Sequence, residues 1–409
     1  MAAHERAGLT DVGVIGAADA SAIARALVPL LPPSLVACFN ASFIRSDHLY
    51  DEFIARLTAG IVRDVGLVDA ARDPGTPDEI AARAGLDVAR ARIPVDWFLR
   101  RLTARGLAEV TTVPGEPPRY RVPAPLPILE PAIVREEQLR HDASWLPSYV
   151  LAETVARDYP AFLRRERAGE EILFSPARLR LWVEFFSNDN GLYAVNNVVG
   201  AAAAEAWLPV GDARILELGG GLGSGAIALL ERMEVTGRLK ELAEYRFTDV
   251  VPVFHRRGQQ ALERRFGGLP FAFGTVDMNR PLAEQGVARG TYTLVYAVNT
   301  LHVARDLDAT LGEIHAALAP GGVLVISECV RLERGRGVHA EFVFNLLESF
   351  RSPVLHPRYR PNGGFLGPGE WCDAFAAAGF TDVRVLPDVD RIGRSVPDFS
   401  VAAIGATRP

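Results

Sequence analysis

Apolar positions follow a helical period through the first half of the chain and switch, from Ala213, to short apolar runs that alternate with helical segments. Over 21–66 the apolar runs are interrupted at Pro32-Pro33 and at Gly60, which predicts several separate helices. Thr76-Pro77-Asp78-Glu79 spells a capping box with proline at the first helical position, and the helix it opens stops at Gly85. Asp87 caps the next helix, which carries Trp97, Phe98, Leu99 and Leu102 and ends at Gly106. Two short strands, 107–113 and 119–122, follow across Pro114-Gly115-Glu116-Pro117-Pro118. Helix, helix, hairpin is the order of a winged helix. Pro123, Pro125, Pro127 and Pro131 then make a stiff linker, and helical segments run from about 133 to 207.

Beyond Ala213 the pattern predicts strands at 213–218, 244–248, 270–275, 292–297, 323–328, 381–386 and 398–404, with helices between them. That alternation is an α/β, doubly wound, seven-stranded Rossmann-like sheet preceded by a mainly helical winged-helix domain. The expected division is 20–130 for the winged-helix part, 131–207 for a helical linker or lid over the substrate pocket, and 208–409 for the sheet domain.

Composition narrows the class. With 409 residues, 49% hydrophobic and 23% charged, the chain is long and apolar enough for two cores, which excludes disordered, collagen-like and disulfide-scaffold classes. Cys38, Cys329 and Cys372 are too scattered for a disulfide framework, and no apolar run reaches the roughly 18 residues of a membrane span. Met1 to Thr10 carries Glu5 and Arg6 and shows no leader pattern, so the cytoplasm is the expected location. The winged helix raises the question of DNA, and its second helix holds Arg90, Arg92, Arg100, Arg101 and Arg105. Yet 51–122 balances 11 arginines with 11 acidic residues, and the whole chain has a net charge of -6, so no nucleic acid partner is expected. All basic residues but Lys240 are arginines, which reads as codon bias.

Candidate chemistry begins at the first strand of the sheet. Ile215-Leu216-Glu217-Leu218 runs into Gly219-Gly220-Gly221-Leu222-Gly223-Ser224-Gly225 and then a helix. Gly219, Gly221 and Gly223 permit a tight turn that brings the backbone close to a ligand at the carboxyl edge of the sheet. The loop can be spelled as a dinucleotide motif, so context decides between NAD and S-adenosylmethionine. Glu217, two residues before Gly219, suits the loop and a cationic amino-acid end. Asp249 ends the second strand, where a carboxylate accepts both ribose hydroxyls, and Asp277-Met278 follows the third, where an acid meets an adenine amino group beside an apolar contact. Together they favour S-adenosylmethionine as cofactor.

With these residues in place, Tyr245-Arg246-Phe247-Thr248-Asp249-Val250, Asp277, Gln285-Gly286, Asn299-Thr300-Leu301-His302, Pro320-Gly321-Gly322 and Ser327-Glu328 resemble the C-methyltransferase domains of polyketide synthases, within the class I methyltransferases, over about 210–385. The front end, about 40–130, resembles the winged-helix dimerisation domain of small-molecule O-methyltransferases, which implies a homodimer.

His302 follows strand four and Glu328 ends strand five, neighbours about 4.8 Å apart in this fold. A carboxylate on one imidazole nitrogen fixes the tautomer and raises the basicity of the other, so His302 is the candidate base and Glu328 its orienter; the resemblance implies the same pair. An enolate oxygen needs a donor, for which Tyr193, Asn196, Asn197 and Asn299 are candidates; Asn299 also counts among the cofactor-binding residues. His356 with His302 imitates the iron site of some 2-oxo-acid relatives, but without HxH or HxxxH spacing no metal is expected. Arg358 and Arg360 could meet an anionic substrate, although exposed arginines usually only meet solvent. The expectation is a C-methyltransferase acting on a small or carrier-bound acyl substrate, either polyketide-type or a 2-oxo acid. The alternatives are an O-methyltransferase using the same base, and a winged-helix regulator that holds S-adenosylmethionine only as a ligand.

Overall fold

The structure is a computed structural model that describes residues 15–332, 337–394, 396 and 399–409. The opening ten residues, read for a leader, and residue 398, the expected start of the last strand, lie outside the described residues. The chain forms two compact units, one containing 39–181 and 337–346 and the other 26–38, 182–332 and the described residues from 347 onward. No described helix is long and apolar enough to cross a membrane.

The first unit is built on the 24-residue helix Ala41–Asp64, whose cap Asn40 accepts the amide of Phe43 at 3.0 Å. It runs unbroken through Gly60, where a break is expected from sequence. An interior glycine costs a helix only about 1 kcal/mol, and the buried face of Leu49, Tyr50, Phe53, Ile54, Ile61 and Val62 outweighs that. Tyr50, Phe53, Trp145 and Tyr149 pack ring on ring where this helix meets Leu146–Leu163. The capping box at Thr76 forms, with Thr76 Oγ1 and Glu79 Oε2 each accepting the other's amide at 3.2 Å. Asp87 likewise accepts the amide of Arg90 at 3.0 Å and opens Val88–Ala104. Strands β1 (Glu109–Thr111) and β2 (Arg119–Arg121) then pair antiparallel.

A late piece of chain, 337–346, completes this unit. Glu341 is fully buried and accepts the indole N–H of Trp97 at 2.9 Å and the amide of Val338 at 2.8 Å. Tyr159 donates to the carbonyl of Phe342 at 2.8 Å, and the Phe342 ring lies between Trp97 and Tyr159.

The second unit holds a seven-stranded sheet: β3 (Ala213–Glu217), β4 (Leu242–Thr248), β5 (Phe271–Gly274), β6 (Tyr292–Val298), β7 (Leu318–Cys329), β8 (Thr381–Leu386) and β9 (Val401–Thr407). Its order is β5-β4-β3-β6-β7-β9-β8, with the first five strands parallel and β9 antiparallel to both β7 and β8. Ile215-Leu216, Val295-Tyr296-Ala297 and Val323 to Ile326 are buried on both faces, as parallel strands covered on each side must be. Helix Gly191–Trp207 packs on β7 and β9, and Gly200 is needed there because a Cβ would fall 2.8 Å from Ser327 and from the Tyr296 hydroxyl. The last strand begins three residues later than expected, its register set by pairing of Cys329 with Val401 and Val323 with Thr407.

Removing the Glu341 carboxylate strands two buried donors, each costing about 1–3 kcal/mol. Glu341→Ala should therefore lower the denaturant midpoint of the first unit, read by tryptophan fluorescence through Trp97. An unchanged midpoint would show that these two hydrogen bonds of Glu341 do not help hold the first unit.

Candidate active site

The change of direction in the sheet falls between β3 and β6, whose connections run to opposite sides, and ligands bind at the carboxyl edge of such a switch point. There the sequence-expected residues stand on consecutive strands: Asp249 after β4, Glu217 ending β3, Asn299 and His302 after β6, and Glu328 near the end of β7.

The glycine loop is shaped from below. Gly219, Gly221 and Gly223 have φ of 64°, 57° and 85°, a region costly to residues with a Cβ. A Cβ on Gly220 would lie 2.2 Å from the Phe247 ring, whereas above Gly221 there is open space. Asp249 Oδ2 accepts the amide of Gly221 at 2.8 Å and Oδ1 that of Val251 at 2.6 Å, so the residue chosen for the ribose also braces the loop. Burial raises the Asp249 carboxyl, and those two amides draw it back down.

Glu217 is buried under the loop, its Oε2 accepting the Tyr245 hydroxyl at 3.0 Å. Burial pushes its carboxyl up to about 8; the Tyr245 hydrogen bond opposes this and the Asp249 charge adds to it. Beside it stands an unsatisfied acceptor. Asn197 donates to Asn188 Oδ1 at 2.7 Å, but its own Oδ1 is buried without a partner among the described residues. A Cβ placed on Gly225 would lie 3.2 Å from Glu217 Oε1 and 3.6 Å from Asn197 Oδ1, so two acceptors flank one small residue. A buried acid and an orphaned carbonyl beside an open glycine loop fit the ammonium end of S-adenosylmethionine. Asp277 Oδ1 takes the amide of Asn279 at 2.9 Å, and Gln285 bonds both the amide and the carbonyl of Asp277 at 2.8 Å, which fixes the turn that carries the half-buried Met278.

His302 and Glu328 meet as expected. Glu328 Oε2 lies 2.6 Å from His302 Nδ1, with Glu328 fully buried and His302 3% exposed. Glu328 Oε1 accepts the amides of Thr300 at 3.1 Å and Leu301 at 2.9 Å, with that of His302 at 3.4 Å, so one carboxylate holds both the imidazole and the turn bearing it. Phe365 and Phe350 flank the ring with centroids 4.6 and 5.7 Å away.

The amide candidates fare differently from expectation. Asn299 has φ of 48°, and its Oδ1 accepts from both Asn196 Nδ2 at 2.9 Å and the amide of Cys329 at 3.0 Å. The Asn196 amide is therefore committed to tying together the ends of β6 and β7. Tyr193 packs against Phe185 and Phe186, and burial, with the charges of Glu217, Cys329, Asp249 and Glu328, keeps its hydroxyl protonated. His356 stacks on Tyr359 at 3.7 Å and takes the amide of Arg358 on Nδ1 at 3.3 Å. Among the described residues no three His, Cys, Asp or Glu side chains gather to share a metal ion. Arg358 is exposed and pairs with Asp373, but Arg360 overturns the expectation of a solvated arginine: it is 1% exposed and donates to the carbonyls of His302 and Ala304 at 2.6 Å each. Sequence carried no sign of this, since burial of that loop is a property of the packed molecule.

Residues 216–324 match the family model described as a methyltransferase domain. That stretch is a methyltransferase domain, and S-adenosylmethionine is its cofactor. The chain is 27% identical over 320 residues to highly reducing polyketide synthase 2 of Gibberella zeae, covering 75% of this chain and 11% of that protein. It thus spans about a tenth of the length of that relative. In fold it is similar to the CurJ carbon methyltransferase, with a TM-score of 0.74, 22% identity and coverage of 95% of this chain and 99% of that one. The citrinin polyketide synthase CMeT domain gives 0.70 and 18%, covering 96% and 97%. The fold likeness therefore extends well beyond the 210–385 stretch legible in sequence and takes in most of the first unit.

Because Phe247 fills the space below Gly220, Gly220→Ala should destabilise the methyltransferase by at least about 1–3 kcal/mol, seen as a lower urea midpoint. An unchanged midpoint would mean that the loop stands clear of Phe247.

Proposed function

We propose that this methyltransferase alkylates an enolisable carbon of an acyl substrate, β-keto or 2-oxo, presented free or on a carrier, with His302 as the base. The observation that carries the reading is the 2.6 Å contact of Glu328 with His302 Nδ1, made by a carboxylate whose other oxygen is anchored to backbone amides. That contact sets the proton on Nδ1 and turns Nε2 into the basic nitrogen. When bound, S-adenosylmethionine supplies a methyl group already activated by its sulfonium, so the protein has only to align and unmask a nucleophile. His302 Nε2 removes the α-proton, and the positive charge that develops on the ring faces the Glu328 carboxylate. Tyr193, held protonated, donates to the enolate oxygen, a task that the committed Asn196 amide cannot share. The relatives' printed names, polyketide synthases and carbon methyltransferases, support carbon over oxygen as the acceptor. Homodimerisation through the helix-helix-hairpin region belongs to this proposal, as does a cytoplasmic setting.

For the cofactor, Asp249 would hold the ribose hydroxyls, Asp277, Met278 and Asn299 would line the adenine and methionine ends, and Glu217 with Asn197 would take the ammonium. A carboxyl raised to about 8 is largely protonated at pH 7 in the cofactor-free protein. Because folding raises it above its ordinary value, the cofactor-free fold loses stability as pH climbs from the usual carboxylate range to about 8.

A cationic ligand beside Glu217 should expel that proton. Calorimetry at pH 7 should then show release of about one proton per S-adenosylmethionine, from the buffer dependence of the enthalpy, fading by about pH 9. Glu217→Gln should bind more weakly and release none; equal release from that variant would remove Glu217 from the site. His302→Ala should cut methyl transfer to a β-ketoacyl pantetheine thioester by about 10²–10⁴-fold with cofactor affinity intact. Isotope-labelled methyl recovered on oxygen would instead establish the O-methyltransferase reading.

A further inference from the structure

The imidazole of His302 is held from one side by Glu328, and the backbone that carries it is held from the other. Leu301–Val303 is a single 3₁₀ turn, too short to fix a side chain by its own hydrogen bonds. Its amides at Thr300, Leu301 and His302 converge on Glu328 Oε1. Its carbonyls at His302 and Ala304 converge on the two terminal nitrogens of Arg360, each at 2.6 Å. An anion gathers the donors of one turn and a cation gathers its acceptors.

We propose that Arg360 is a positioning residue for His302, the cationic half of a clamp whose anionic half is Glu328. The inference rests on His302 being the base.

The loop that delivers Arg360 is built for the purpose. Val354 donates to the carbonyl of Arg305 at 2.7 Å, and Tyr359 donates to Asp308, so the loop is tied at two points to the segment following His302. His356 and Arg360 exchange both backbone hydrogen bonds at 2.9 Å across a tight turn, which the His356 ring braces by stacking on Tyr359. This gives His356 a structural place that involves no metal. The same excursion brings Phe365 onto the imidazole. Burial pulls the Arg360 guanidinium down to about 10, with Asp306 and Glu328 acting in the opposite sense. Its Nε is buried with no partner among the described residues, so the side chain leaves one donor unsatisfied in order to place the other two. A lysine could carry the charge but has no planar fork with which to reach two carbonyls at once.

The test uses Arg360→Met and Arg360→Lys in the full chain labelled with ¹⁵N-histidine, the His302 ring signals being assigned by their loss in His302→Asn. Wild type should show the tautomer protonated on Nδ1. Arg360→Met should show averaged ring shifts and a fall of about 10²-fold in kcat with the β-ketoacyl pantetheine thioester, at unchanged affinity for S-adenosylmethionine. Arg360→Lys should restore the ring pattern in part. A wild-type ring pattern or wild-type kcat in Arg360→Met would overturn the proposal, as would loss of cofactor affinity in step with activity, which marks general damage to the fold. The ring signals need no acceptor. A wild-type enzyme inactive on the thioester while Arg360→Met still shows averaged rings would therefore sink the β-ketoacyl thioester as the acceptor and uphold the clamp.

Discussion

Glu328 sits fully buried near the carboxyl end of β7, and the arrangement of the site follows from how its charge is met. A carboxylate without water needs several donors, and it finds them in the backbone amides that follow β6 and in the His302 ring. Those amides are available only because the chain turns sharply after Val298, through the left-handed Asn299, instead of continuing the strand. The polar requirement of one side chain thus dictates the path of the neighbouring loop, and that path aims the imidazole.

The same economy recurs on the cofactor side. Asp249 braces the glycine loop through the amide of Gly221 and its own turn through the amide of Val251. Phe247 fills the floor under Gly220 and Gly258, so the loop can take only the shape it has. Burial holds the Glu217 carboxyl well above the usual carboxylate range, against the pull of the Tyr245 hydroxyl. Residues at this sheet edge therefore hold the loops that shape it.

The two compact units differ in how they are stabilised. The sheet unit is closed by hydrogen-bonded strands with continuous apolar runs, and its boundaries follow the pairing register. The helical unit relies on ring packing and on buried acids, among them Glu341, contributed by a segment more than 230 residues away from Trp97 in the chain. A change at Glu341 is therefore felt far from its place in the sequence.

Local signals carried a large part of this molecule. The capping box at Thr76, the Asp87 cap, the seven strands and the placing of Glu217, Asp249, His302 and Glu328 at strand ends were all legible, because each depends on neighbours a few residues apart or on the fixed geometry of parallel strands. Gly60 misled, since helix propensity is weak beside the burial of a long apolar face. Arg360 was invisible for the same kind of reason: an arginine in a polar loop reads as solvated, and only packing of that loop over His302 reveals two carbonyls waiting for it. The asparagines divided likewise, Asn196 being drawn off to Asn299 and Asn197 left with a bare acceptor by contacts that no spacing rule encodes. Sequence determined which elements form and which groups reach the sheet edge, because those are short-range matters. Tertiary structure decided which of those groups hold one another in place, because hydrogen-bond partners in the interior are assigned only once distant segments have been brought together and dried.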